Sequence, residues 1–413
     1  MGLFILEDSG YEQLLPLTWL RPVYDLRCGI LTLRDKILKA YGVETGGLGC
    51  RSYLAPLVAE QNPGFMVNQV AGESLLIVNG RVIWNGELAR QIPLAGPDWV
   101  YKVGGQVVAA RLSGANLGKM NWQTPITHES FPKLAEEQVE ATFITWFWDL
   151  LHHNAAQLVA DFELLARPGR LEGEVHRGAH LLGEESIFIA PGAKVGPGVV
   201  LDAGEGPIFI DENATIMPQA VIRGPAYVGK QSIIKIGAKI YEGTSIGEVC
   251  KVGGEVVQCI IHSYANKQHD GFLGHAYVGM WVNLGGGTNN SDLKNDYGEI
   301  RVEMGGETVG TGSMFVGCAI GDHTKTGIGT MINTGSVLGV GCNLYGAGLT
   351  PKEVPSFSWG GAESLVEYRL EKFLQAARKV MDRRKQELSP VEEAVIRDVF
   401  AATAGERGAV GGT

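Results

Sequence analysis

The sequence runs to 413 residues and carries 58 glycines, six cysteines, 19% charged and 45% hydrophobic residues. Glycine is at about twice its usual share, but so much apolar material excludes a disordered chain, and the lack of a three-residue glycine period excludes collagen. Thirty-five basic against 45 acidic residues give a net charge of −10, which argues against a dedicated nucleic-acid binder.

In chain order, the apolar start of residues 1–6 is too short for a signal peptide and lacks a basic flank. Leu6 stands where a myristoylation signal needs Ser or Thr. No window approaches the about 18 apolar residues of a membrane span. The cysteines form no CxxC pair and read as reduced thiols of a cytoplasmic protein. Across residues 1–165, apolar runs at 75–78 and 107–110 alternate with helix-like stretches at 34–41 and 134–142, which predicts an α/β domain. The run from Phe143 into His152-His153-Asn154 predicts a helix leading to the next domain.

A six-residue register then takes over. Ile210, Ile216, Ile222, Val228, Ile234, Ile240, Ile246 and Val252 fall in one phase. Four places after each stand small or short-branched residues: Ala214, Ala220, Ala226, Ser232, Ala238, Thr244, Cys250 and Val256. The pattern resumes at Phe272, Val278 and Leu284, and from Met314 through Ile320, Thr326, Ile332 and Leu338 to Leu344. Such a period predicts a parallel β-helix, one short strand and one turn per six residues and about 18 residues per coil. The aliphatic points inward, the small residue fits the corner, and Gly or Asn accepts positive φ at the turns. Domains are expected at 1–165, 166–350 and 351–413. The last is helical, with apolar spacing and late basic residues in 362–387. A capping box with proline at the first helical position, Ser389-Pro390-Val391-Glu392, starts a second helix to about Ala402. From Gly405 a frayed tail is expected.

Two interruptions of the register, 258–271 and 289–313, mark the expected site. Gly254-Glu255-Val256-Val257, His269-Asp270-Gly271-Phe272-Leu273-Gly274 and Asn283-Leu284-Gly285-Gly286-Gly287-Thr288-Asn289-Asn290 resemble the acetyltransferase half of the bifunctional UDP-N-acetylglucosamine pyrophosphorylase/glucosamine-1-phosphate N-acetyltransferases. Arg21-Pro22-Val23-Tyr24-Asp25-Leu26 and Pro355-Ser356-Phe357-Ser358-Trp359-Gly360 are similar to a divergent bacterial branch of that family. The resemblance implies a nucleotidyltransferase-like, Rossmann-like α/β domain followed by a left-handed parallel β-helix and C-terminal helices.

The resemblance further implies acetyl-CoA as co-substrate and an amino-sugar 1-phosphate as acceptor, with glucosamine 1-phosphate expected. It places His269 on the catalytic histidine, whose imidazole titrates near neutral pH and suits proton removal from an amine. Glu255 falls beside the site, and Phe272 where the family has tyrosine. Asn283 and Asp292 fall on sugar-gripping positions, though Asp292 in an inserted turn also suits a cap. Lys239 matches a basic residue near the sugar phosphate, while Val257 replaces a second family lysine. Gly286 and Ile328 match positions along the acyl-CoA arm, with Lys325 a candidate for the CoA phosphates.

In the first domain the family's glycine-rich phosphate loop is missing. Arg21, Arg27, Arg34 and Lys36 follow in its place, as phosphate ligands for UTP or dTTP or as ordinary helix-surface cations. The strand-end aspartate that would hold Mg²⁺ is replaced by Asn79-Gly80-Arg81. Either Glu7, Asp8 or Asp149 substitutes, or this half has lost or altered its activity, and the metal ligands stay unassigned. A homotrimer without nucleic-acid or membrane partners is expected. The rival reading is a non-catalytic regulatory or scaffold protein built from the same two domain types.

Overall fold

The computed structural model describes residues 2–70, 72–120, 122, 126–166 and 168–410. The chain folds as two compact units. The first comprises Met1–Leu26, Leu31–Trp146 and Ser389–Asp398; the second comprises Arg27–Ile30, Phe147–Leu388 and Val399–Thr413.

The first unit is built on a seven-stranded mixed sheet. Its strands lie side by side as Met66–Val67, Gly47–Gly49, Gly2–Leu6, Ser74–Asn79, Gln106–Ser113, Trp99–Val103 and Glu136–Gln138. The four from Met66–Val67 to Ser74–Asn79 run parallel, and Gln106–Ser113 is antiparallel to both its neighbours. Phe4, Leu6, Leu75, Ile77, Val100 and Ala110 pack together in a core from which water is excluded. The helix Leu33–Tyr41 starts at a capping box formed by Thr32 and Asp35 and stops at Gly42, whose φ of 64° suits glycine. Residues 134–142, expected as a helix, instead contribute the strand Glu136–Gln138. Its backbone pairs with the open edge of Trp99–Val103, and edge pairing outweighs the local helical propensity.

The second unit contains a three-sided parallel β-helix. One face stacks Glu174–Val175, Lys194–Val195, Thr215–Ile216, Ile233–Ile234, Lys251–Val252 and Asn266–Lys267. A second stacks His180–Leu182, Val200–Asp202, Val221–Arg223, Lys239–Ile240, Glu255–Val257 and Phe272–Gly274. The third runs from Ile187–Ile189 to Glu353–Val354. Ile216 pairs with Ile234 and Ile234 with Val252, one 18-residue coil apart. The eight aliphatics from Ile210 to Val252 are all buried, as are the eight short residues four places on. Fully burying each such side chain contributes roughly 1.5–3 kcal/mol, so the register is the energetic spine of the unit. Glycine does not own the corners: Gln219, Gln231 and Val249 also take φ near 60°.

Two register expectations fail at the interruptions. Glu255 pairs with Phe272 and Val256 with Leu273, so Leu273 is the inward residue and Phe272 faces out. A one-residue slip exchanges the faces of a strand. Met314 is exposed, because 301–310 fold as an antiparallel hairpin outside the helix and the inward register restarts at Ile320.

The units divide at Trp146, not at residue 165. The helix Phe147–Leu165 buries Leu150, Leu151, Leu158 and Phe162 within the second unit. Phe162 meets Phe209 edge-on at 6.3 Å, and Asn154 Nδ2 donates to Gly243 O at 2.8 Å. The β-helix also continues past residue 350: Glu353–Val354 pairs with Ser336–Leu338, and Ser358–Gly360 with Asn343–Leu344. The helices Leu370–Asp382 and Pro390–Ala402 follow, and Ala404–Val410 is helical where a frayed tail was expected. Among the described residues, no helix is long and apolar enough to cross a membrane.

Candidate active site

His269 sits at an exposed corner between the strands Asn266–Lys267 and Phe272–Gly274. Two features hold this corner. Gly287 N donates to Asp270 O at 2.9 Å, tying it to the next coil. Lys267 Nζ donates to His269 O at 2.7 Å. Lys267 pairs with Val252 in the sheet register, so it occupies an inward position otherwise held by aliphatics, and it is only 3% exposed. Burial pulls its ammonium down to about 8. The six-residue pattern gave no warning of it, because residue 267 falls inside the interruption 258–271 and off the phase that ends at Val252.

Gly286 lies against the His269 imidazole. A Cβ there would stand 3.7 Å from His269 Cγ, so the missing side chain leaves backbone next to the ring. Gly285 is tighter still, since a Cβ would come within 2.4 Å of Gly327 O. The triple glycine is therefore dictated partly by coil-to-coil packing.

Lys239, Glu255 and Phe272 are register neighbours on one outer face, with Lys239 Nζ 3.9 Å from Glu255 Oε2. Phe272 N donates to Asn289 Oδ1 at 2.7 Å, which continues this column into the next coil. Asn283 belongs to a different column, bridging Asn266 and Lys325 on the face before the His269 corner. Lys325 Nζ donates to His323 O at 2.9 Å, and burial brings its ammonium down to about 8. Ile328 is 90% exposed.

Asp292 is engaged by a side chain that the sequence did not single out. Its Oδ2 lies 2.8 Å from His275 Nδ1, and the His275 ring stacks on Phe315 at 5.2 Å. The carboxylate and the Phe272 ring converge over Gly274, where a Cβ would clash with both. So Asp292 orients a histidine, and this pairing explains its position without a cap.

The four cations expected around a nucleotide have other work. Arg27 belongs to the second unit: its N donates to the Tyr277 hydroxyl at 2.9 Å and its Nη2 meets Glu248 Oε1 at 3.0 Å. Burial pushes the Glu248 carboxyl up, but Arg27, Ser263 and His262 outweigh it and hold it at about 2. Arg34 pairs with Asp25 at 3.0 Å, Arg21 reaches Leu17 O, and Lys36 is buried. None of the four lines the cleft of about 450 Å³ in the first unit, which is walled by Asp8, Asn79, Arg81, Gln106 and their neighbours. Of the alternative metal ligands, Glu7 is buried against Arg51 at 2.8 Å, and Asp149 lies on the Phe147–Leu165 helix of the second unit.

Residues 3–169 match the sugar nucleotidyl transferase family. The bifunctional sugar-1-phosphate nucleotidylyltransferase/acetyltransferase of Sulfurisphaera tokodaii is 30% identical over 152 residues, covering 36% of this chain and 38% of that protein. The bifunctional protein GlmU of a Synechococcus species is 28% identical over 212 residues, covering 50% and 40%. Over these stretches the chain is similar to the bifunctional transferases. It spans about two fifths of the length of each. An uncharacterized acetyltransferase, YaiX of Escherichia coli, is 25% identical over 170 residues, covering 41% of this chain and 74% of that one. Among solved structures, the UDP-N-acetylglucosamine acyltransferase of Francisella novicida aligns over 55% of this chain and 78% of its own at 17% identity, with a TM-score of 0.31. The β-helix itself is read from the strand pairing of this chain.

Proposed function

We propose that the β-helix transfers an acetyl group from acetyl-CoA to the amine of an amino-sugar 1-phosphate, glucosamine 1-phosphate being the expected acceptor. The observation that carries this reading is the exposed His269 corner, with the bare backbone of Gly286 against its ring. His269 takes a proton from the attacking amine as the C–N bond forms. The C–S bond then breaks and CoA leaves as its thiol. The outer column of Lys239, Glu255 and Phe272 offers a cation for the sugar phosphate, a carboxylate for the amine and an aromatic face for the ring. Lys239 is the one phosphate cation there, because Val257 stands at the second position. The acyl arm would run along Gly286 and toward exposed Ile328, with Lys325 in reach of the CoA phosphates only if it gives up the His323 carbonyl.

A scaffold would not need a lysine buried to hold the His269 carbonyl, and this favours the enzyme over the non-catalytic alternative. Most of the sugar nucleotidyl transferase match falls in the first unit. The test is CoA release from acetyl-CoA with glucosamine 1-phosphate. We expect amine-dependent release of free thiol; none with any amino-sugar 1-phosphate would reject the reading.

A further inference from the structure

The first unit's cleft lies beyond the ends of Gly2–Leu6 and Ser74–Asn79. These two parallel strands are sheet neighbours from which the chain order departs in opposite directions. Such a switch point is where open α/β sheets bind ligands. A nucleotidyl transfer here would call for a divalent cation held by free carboxylate oxygens.

The donors present do not fit that cation. Asp8 Oδ1 accepts from Arg81 Nε at 2.6 Å and from Gly10 N at 3.1 Å. Asp8 Oδ2 accepts from Arg81 Nη2 at 2.7 Å and from Asn79 Nδ2 at 2.8 Å. Both carboxylate oxygens are therefore spent on a forked guanidinium pair, the strongest ion-pair geometry available to these groups. Arg81 is 5% exposed and fixed further by the Ile144 carbonyl at 3.0 Å. Gly10 lies flat on the guanidinium, where a Cβ would come within 2.3 Å of Cζ, so the pair is covered on that side. Glu12 is the other carboxylate lining the cleft, and among the described residues no group of three His, Cys, Asp or Glu could hold a metal.

Among the described residues that line the cleft Arg81 is the one cation, so a triphosphate would find no counter-charge left over. Besides Glu12, the lining offers the Ser9 hydroxyl and the Gln13 amide, together with Gln106, whose Oε1 accepts from Arg81 Nη2 at 3.3 Å, and Thr127, whose hydroxyl lies 3.2 Å from Ser130 Oγ, beside the apolar Val107 and Phe131. That mixture suits an uncharged, hydroxyl-bearing ring with one apolar face. We infer that the cleft is a metal-independent binding site for a sugar ring, in which the Asp8–Arg81 pair occupies the place a cation would need. The site is separate from the acetyl-transfer corner and does not depend on its assignment.

Calorimetric titration of the full chain with N-acetylglucosamine tests this, run once with EDTA and once with excess MgCl₂. The expected result is binding with the same Kd in both buffers. Thr127→Trp, at the exposed rim, should fill the cleft and weaken binding by about tenfold, with the protein still folded and the melting temperature lowered only by loss of the Thr127 cap on the turn His128–Ser130. Gln106→Ala is the milder companion, expected to weaken binding by roughly threefold. Absence of sugar binding overturns the inference. So does affinity that requires Mg²⁺, unchanged affinity in a folded Thr127→Trp protein, or EDTA-sensitive pyrophosphate release from UTP or dTTP with a sugar 1-phosphate.

Discussion

Lys267 shows how one residue couples stability to the site. Its folded-state ammonium is depressed to about 8 from 10.5, because burial penalises the charge. Between those values the unfolded chain keeps a proton that the folded chain sheds, so stability should rise as pH climbs from about 8 to 10.5. The rise is bounded by about 3 kcal/mol for this lysine, and Lys325, displaced in the same direction, adds to it. Chemical denaturation across that range should show a smaller slope for Lys267→Met than for the natural chain; an equal slope would place the titration elsewhere. The same variant loses the donor to the His269 carbonyl, so kcat should fall while KM for acetyl-CoA stays near its natural value. The His275–Asp292 pair makes a different residue-scale prediction. Asp292→Ala removes the oriented partner of a mostly buried ring and should cost about 1–3 kcal/mol in denaturant unfolding.

At the scale of the strand and its coil, the inward register bears the load. Ile240→Ala leaves a hole in a stack where Ile222 lies one coil below and Val256 one coil above, and should cost about 2–5 kcal/mol. Ile328→Ala, at a fully open corner, should leave the melting temperature unchanged while raising the KM for acetyl-CoA. The inward stack was legible because hydrophobic period and strand geometry are the same physical fact: each aliphatic meets its copy 18 residues on. The expected cluster was less legible. His269 and Gly286 do come together, and Lys239, Glu255 and Phe272 do share a column. The slip that turns Phe272 outward follows from the lengths of two turns, and periodicity cannot measure those. Lys267 reads as polar and exposed until its pairing with Val252 is known. The partner of Asp292 lies 17 residues back, within reach only through the coil. Arg21, Arg27 and Arg34 have the right charge for a phosphate, but charge in a sequence does not reveal the carboxylate or carbonyl that claims it.

For the whole molecule, the glycine excess that marked the composition resolves into corners, close coil contacts and the bare backbone beside His269. The exposed apolar residues Met331, Tyr345 and Leu349 lie along the late coils, with Met331 and Leu349 bridged to one another. Side-by-side association of β-helices would cover them, and we expect a trimer by light scattering; a monomeric mass would contradict it. The two units are expected to bind their ligands independently, the first without a metal and the second through the acyl donor. The proposed acetyl transfer depends above all on the His269 corner. Its most direct test is the steady-state rate of acetyl transfer from acetyl-CoA to glucosamine 1-phosphate by His269→Ala, with the fold checked by circular dichroism. Loss of the general base should lower kcat by about 10²–10⁴-fold in a protein that remains folded. A folded His269→Ala protein that turns over at the natural rate would contradict the account.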